Sequence, residues 1–504
     1  MKKVVKQDNK ILEMITDVYI FLIIIVFPLI VDKTGFFKIL ECKWRSYVAI
    51  STTYIFCVIG IVIYYLIKYK NNLCKKKLTI IEWSAIIFLI VNILSYLFSP
   101  YLGKYNLLLG TGRGEGLIVS SLYILSFLFV SHFGKFDKKH ILYFSISSIL
   151  ISFIAILQFV GFNPFNMYQD GIGTHNVSFM TTIGNVDFIS AYYVIVLTIS
   201  ASALLFLDNN RYEKIIHYTS ILFGSFIFNI IEVTSGKVAF LAIAMVLLPF
   251  AFKDNLKLST ALKIISLILL SIAINMFINI EYHYDLGRLG FYFKIDYLLI
   301  LFIIMILILA LLSKYLKKIS YSINSKNYIK NYFKIGSFGI AFGLLVLFII
   351  PFKSGILYEM HELLHLNFDD NFGTYRIFLW KRTLPLIKDY PLLGSGPDSF
   401  ALRFMPIYSE DIAKIGPLTI NDTAANIYLT MMINLGIIGT LNYLAFLGLQ
   451  VYNGIRYKSS YSFVLLCSII CYMVSSFFNL SVVVISPLFW ILMAIHHLCI
   501  YDNE

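Results

Sequence analysis

Long apolar runs alternate with short polar segments along the chain, and the length of the runs sets the first expectation. A helix crossing a bilayer needs about 20 mostly apolar residues. Runs of that size fall at 14–31, 47–67, 80–98, 116–133, 141–161, 188–207 and 215–231. More follow at 238–252, 260–280, 295–313, 335–352, 423–447, 461–480 and 484–501. In hydrocarbon a segment has to satisfy its own backbone polar groups, which turns such runs into helices. The pattern predicts an all-α, polytopic integral membrane protein with about 12–14 transmembrane helices. The first run lacks a small-residue cleavage site and leads straight into further spans, so it reads as a retained helix.

One connection breaks the rhythm. Residues 353–422 form a long loop, and connections beyond about 15 residues are usually functional or disordered. This one is not low in complexity. It holds Trp380, Phe378, Phe400, Phe404, two Gly-Pro steps and helical spacing over 375–389, which predicts a segment folded over the membrane surface. The chain thus divides into spans 1–11 (residues 1–352), the loop (353–422) and spans 12–14 (423–504), with no internal repeat.

Composition supports the membrane assignment. Of 504 residues 59% are hydrophobic and 14% charged, where a soluble chain carries about 25% charged. The net charge of +13 does not point to nucleic acid, because the cations lie in short runs between apolar stretches. Lys2, Lys3, Lys6 and Lys10 start a set of basic loops that continues at Lys68–Lys77, Lys135–Lys139, Arg211–Lys214, Lys253–Lys257, Lys314–Lys334 and Arg456–Lys458. The alternate loops are poorer in Lys and Arg, which predicts cytoplasmic termini and an extracytoplasmic long loop. Cys467 and Cys471 stand one helical turn apart in an apolar run and read as packing residues.

Four polar, glycine-bearing clusters then fall on the extracytoplasmic side. They are Gly110-Thr-Gly-Arg113-Gly-Glu-Gly116, Thr182-Ile-Gly-Asn185-Val-Asp-Phe188, Thr234-Ser-Gly-Lys237-Val-Ala239, and Arg376–Phe400 taken with Asp422–Gly439. Cations at helix starts and in glycine turns favour anions, and guanidinium grips phosphate oxygens bidentately. An anionic substrate at the outer leaflet, such as a lipid-linked pyrophosphate, suits that set. The plainer reading is loop cations snorkelling to headgroups, and it fits Lys104 and Lys294 better than Arg113 and Arg376.

These residues resemble a family. Tyr375-Arg-Ile-Phe-Leu-Trp-Lys381, with Lys388-Asp-Tyr-Pro-Leu-Leu-Gly-Ser-Gly-Pro397 and Phe400, resembles the external-loop signature of the O-antigen ligase/polymerase superfamily. Gly184-Asn185 with Phe188, Thr234-Ser-Gly-Lys237-Val-Ala239, Gly112-Arg113-Gly-Glu-Gly116 and Asp422-Thr-Ala-Ala-Asn426-Ile-Tyr-Leu429 are similar to its other segments, in the same order. The resemblance implies a metal-independent, cofactor-free inverting glycosyltransferase in a bacterial cytoplasmic membrane, with its active face extracytoplasmic. Its donor would be an oligosaccharide on undecaprenyl pyrophosphate, and its acceptor a sugar, a lipid glycan or a protein. Arg376 and Lys237 match basic positions that bind pyrophosphate; Arg113, Asn185 and Arg382 join them as candidates. Two departures stand out. The family's second arginine falls on Lys237, which loses the bidentate fork. Its histidine falls on Ala425, which cannot accept a proton, so the chain has lost activity, naturally or by deliberate substitution, or it uses another base, for which Asp422 beside Asn426 is a candidate.

Two other readings stay open. His361-Glu362-Leu-Leu-His365 is a literal HExxH, which on a helix would hold zinc with Glu362 as general base. It lacks a third ligand in recognisable spacing, and the segment also reads as an interfacial amphipathic helix. A transporter or flippase of lipid-linked glycans would place ionisable groups near the bilayer midplane. Here Glu82, Glu232, Lys263, His217, His496 and His497 lie near span ends.

Overall fold

The computed structural model describes residues 2–69, 77–110, 112–160, 162–167, 181–231, 233–283, 288–293, 297–319, 328–350, 358, 361–362, 364–365, 367, 370, 372–415, 422–457 and 459–501. Among these, nine helices are long and apolar enough to cross a membrane, and five shorter apolar helices accompany them. Each corresponds to one apolar run of the sequence. The first is α1 (Lys2–Phe21), extended by a π-helical turn at Leu22–Val26 and a further turn at Phe27–Leu29. After it come α2 (Ile39–Tyr69), α3 (Ile80–Leu97), α4 (Leu117–Phe133), α5 (Lys139–Phe159), α6 (Val186–Phe206), α7 (Arg211–Ile231), α8 (Thr234–Ala251) and α9 (Asn255–Phe277). A two-stranded antiparallel hairpin, β1 (Ile278–His283) and β2 (Arg288–Phe293), separates α9 from α10 (Tyr297–Leu316) and is a small exception to the otherwise helical fold. Next are α11 (Tyr328–Ile349), α12 (Phe372–Leu386), α13 (Phe400–Ile415), α14 (Ile427–Arg456), α15 (Ser460–Ser476) and α16 (Ser486–Tyr501).

The helix α6 forms the axis of the bundle and is nearly all buried, whereas α10 is almost wholly exposed on its apolar surface. That contrast is the one expected when lipid solvates the outer helices. Small hydroxyl residues join the inner ones. Ser145 Oγ lies 2.8 Å from both Ser200 Oγ and His217 Nδ1, Ser147 pairs with Tyr192, and Ser152 with Tyr193. Tyr19 reaches both Ser51 and Ser126. Such bonds satisfy polar groups where no water is available and bring backbones close. Cys467 and Cys471 are buried and unpaired, as packing residues are.

The described residues of the long connection fold mainly as α12 and α13. The helical spacing seen at 375–389 becomes α12 followed by a 3-10 turn at Ile387–Asp389. Phe378, Leu379, Leu386, Phe400, Phe404 and Ile412 form a small core of their own with Ala424 and Ile433. This satellite core seats α12 and α13 against the start of α14.

The helix α14 is broken at Gly436, whose φ of 65° lies in the left-handed region. Segment 391–396 crosses the break and takes up the backbone groups it frees. Ser395 and Gly396 donate to the carbonyls of Ile433 and Asn434, and Ile437 and Ile438 donate to those of Pro391 and Leu392. Gly394, also at positive φ (70°), abuts Gly436, and a Cβ on either would lie 2.3–2.5 Å from the other strand's backbone. A broken helix inside a bundle is tolerated where its polar groups find partners in this way.

Candidate functional site

At the end of the bundle where α14 begins, three stretches far apart in sequence converge on a cavity of about 100 Å³. One is the turn carrying Arg113 and Glu115 ahead of α4. Another is the crossing segment with Pro397 and Asp398, and the third is Thr423 with the first turns of α14. Ser481 and Ser486, before and at the start of α16, complete the polar wall, while Tyr443, Phe489 and Trp490 line its apolar side.

Arg113 ties the parts together. Its Nε donates to Asp422 Oδ2 at 2.8 Å, with 22% and 11% of the two side chains exposed. The guanidinium also lies over the ring of Phe188, 5.6 Å from its centre. Asp187, in the first turn of α6, feels the charges of both Arg376 and Arg113, so the two arginines flank one acidic helix start. Arg376 Nε donates to the carbonyl of Phe478 in the loop before α16. Arg113 and Arg376 thus face the same end of the bundle.

The stretch from Asp422 to Asn426 is held by backbone bonds rather than by regular structure. Asn426 caps α14 by accepting the Leu429 N–H at 3.0 Å. Trp380 Nε1 donates to the Ala424 carbonyl at 2.9 Å, and Ala424 N–H donates to Thr430 Oγ1. Ala425 sits at φ 49°, a conformation that non-glycine residues adopt uncommonly. Asn185 plays the matching part in α6, where its side chain accepts the Asp187 N–H at 2.8 Å.

Residues 292–444 match the family model described as O-antigen ligase. That match places this region in the O-antigen ligase family. No curated protein matches the chain. The ligase region runs from the end of β2 into α14 and contains Arg376, Arg382, Asp422, Ala425 and Asn426. Arg113, Glu115, Asn185 and Lys237 lie outside it, and the fold brings the first two onto the cavity that the ligase region lines.

The remaining candidates occupy other places. Lys237 is exposed on α8 and lines an apolar groove of about 460 Å³ with Phe228, Phe240, Leu241 and Ile265. Arg382 is engaged by Asp370 and Asp411 and stacks on Phe378, 3.7 Å from the ring centre. In the HExxH segment the imidazoles of His361 and His365 pack on each other, and each Nδ1 lies against a backbone carbonyl. Among the described residues no third His, Cys, Asp or Glu joins them in a metal-binding group.

Glu115 was passed over in the sequence, where it is one acidic residue in a glycine turn. In the folded chain it is shielded from bulk solvent yet partly exposed to the cavity. Tyr123 Oη and Ser486 Oγ donate to its Oε1 at 2.8 and 3.3 Å, and Ser481 Oγ donates to Oε2 at 2.6 Å. Burial, reinforced by the negative charge of Asp398 and opposed by the three hydroxyls, pushes its pKa up to about 7. The only signal in the sequence was position, two residues from Arg113.

Proposed function

We propose that this O-antigen ligase-like membrane protein moves an oligosaccharide from undecaprenyl pyrophosphate to a sugar, lipid-glycan or protein acceptor at the extracytoplasmic face of a bacterial cytoplasmic membrane. The observation that carries this reading is the Arg113–Asp422 bond. It joins a turn outside the matched region to the Asp422–Asn426 stretch inside it, beside a second arginine.

In an inverting transfer the anomeric carbon is attacked as the pyrophosphate departs, so negative charge grows on the leaving group. Cations fixed in advance at that place stabilise the transition state more than the ground state. Arg376 and Arg113 are the groups to do so, with Asp422 orienting Arg113. Arg382 already has two carboxylate partners, which makes it a brace for α12 and α13. Lys237 suits the membrane-embedded part of a donor. A cation on an apolar groove complements an anionic head with a long hydrocarbon tail.

The test is transfer from a synthetic polyprenyl-pyrophosphate oligosaccharide by the purified full chain in proteoliposomes. Arg376→Ala should lower the rate by about 10²–10³, the scale of losing one transition-state donor. An unchanged rate would remove Arg376 from the pyrophosphate site. His361→Ala with His365→Ala should leave transfer unaltered, and a lowered rate there would give the HExxH segment a part in the transfer.

A further inference from the structure

The proposed transfer needs a group to take the acceptor's proton, and Ala425 offers none. Asp422 is poorly suited. Its Oδ2 accepts from Arg113 Nε at 2.8 Å, and Asp422 is not among the residues that line the cavity, so its place is to orient the arginine.

The cavity contains a better placed carboxylate. We infer that Glu115 is the general base of the transfer, receiving the proton of the acceptor hydroxyl inside the cavity that Arg113 also lines. This inference rests on the proposed glycan transfer. Three features of the site lead to it. First, Glu115 lines the same cavity as Arg113, Thr423 and Asp398, so its carboxylate can reach a hydroxyl brought in beside the arginine. Second, its partners are hydroxyls: Tyr123, Ser481 and Ser486. A hydroxyl rotates between donating and accepting, so this set tolerates the group in both charge states, which a base must visit in every turnover. Ser481 and Ser486 are also 2.9 Å apart, so the two hydroxyls can bond to each other when the carboxyl gains its proton. Third, the cavity is small. At about 100 Å³ it has room for a hydroxyl group beside the Glu115 carboxylate.

The groups facing Glu115 are Asp398 from the crossing segment, Tyr123 from α4, Tyr443 from α14 and Tyr472 from α15, with Arg113 on the cavity wall. Asp398 is the one whose charge holds the proton on Glu115. In the step itself the acceptor oxygen bonds to the anomeric carbon while its proton passes to the Glu115 carboxylate. The bond from that carbon to the phosphate oxygen breaks, and its electron pair leaves on the pyrophosphate. Glu115 then returns the proton to water.

The experiment measures transfer against pH in proteoliposomes of the full chain, with a synthetic polyprenyl-pyrophosphate oligosaccharide and a free oligosaccharide acceptor. Wild type should gain rate as pH rises and level off above about 7, a profile expected of a base with its pKa near the working pH. Glu115→Gln should lose about 10²–10⁴ of the rate and all of that limb, with the donor KM little changed. Asp398→Asn removes a neighbouring negative charge and should move the limb to lower pH, which a structural role for Glu115 would not produce. If Glu115→Gln keeps the wild-type limb, the assignment is wrong. Should that variant fail to fold, an unmoved limb in Asp398→Asn overturns it instead. Transfer by Ala425→His but not by wild type would likewise overturn it, while leaving the glycan reading intact. No transfer by either from any donor removes the glycan reading and this inference with it.

Discussion

At the scale of single residues, charge and burial separate two carboxylates, Asp422 and Glu115, that look alike in the sequence. Asp422 is paired with Arg113, and breaking a partly buried pair from one side leaves the other charge uncompensated. Asp422→Asn is therefore expected to raise the donor KM through a loosened Arg113 while the pH limb of the rate persists. Loss of the limb would make Asp422 the base after all. Glu115 titrates in the opposite sense from an ion-paired acid. Its pKa in the fold lies above that of the unfolded chain, so its contribution to stability is complete below the ordinary value of 4.5 and is lost as pH rises to about 7. Thermal unfolding in detergent should show wild type losing stability across that window and Glu115→Gln losing less of it. The sequence marked Arg113 and Asp422 as candidates because each sits in a polar, glycine-bearing cluster. It had no means to mark Glu115, since the hydroxyls and Asp398 that shape its chemistry come from positions up to 371 residues away.

Among the elements, α14 shows where sequence patterning stops. Leu435-Gly-Ile-Ile-Gly439 continues an apolar run, and hydrophobicity alone extends one straight helix through it. Only the crossing of segment 391–396 reveals that Gly436 breaks the helix and that Gly394 has to be a glycine too. Gly436→Ala would put a Cβ 2.3 Å from the Leu392 carbonyl oxygen at a left-handed φ, and a cost of roughly 2–5 kcal/mol is expected from strain and overpacking together. The melting temperature in detergent measures it. The helix α12 was legible from its spacing, with an end a few residues from the expected one. The helix α13 was not, although Phe400 and Phe404 start its buried face. Trp380→Phe tests the link between these elements and the site. It leaves the Ala424 carbonyl without its 2.9 Å donor, a loss of about 1–3 kcal/mol for a buried polar group, and should speed proteolysis within 422–430.

For the whole molecule, lipid decides which helices matter to stability. Ile195 on the central α6 is fully buried, while Leu307 on α10 is 58% exposed. Ile195→Ala should cost about 2–5 kcal/mol as a core cavity, and Leu307→Ala should stay within about 0.5 kcal/mol, both read from unfolding in detergent. The bundle also explains why ligase-region residues alone do not make the site. Arg376 and Asp422 lie in the matched region, but the arginine that pairs with Asp422 and the carboxylate inside the cavity come from the turn before α4.

The amino-acid sequence by itself determined the membrane class, the placing of the apolar helices, the folded long connection and the resemblance to O-antigen ligases. All of these depend on local composition and on the satisfaction of backbone groups within one segment, which a run of residues carries without reference to the rest of the chain. Tertiary structure decided which polar residues meet, that Lys237 lines a groove apart from the cavity, and that Glu115 shares a cavity with Arg113. Burial, charge pairing and pKa depend on neighbours contributed by the turn before α4, the crossing segment, α14 and the loop before α16, and those neighbours exist only once the helices have packed.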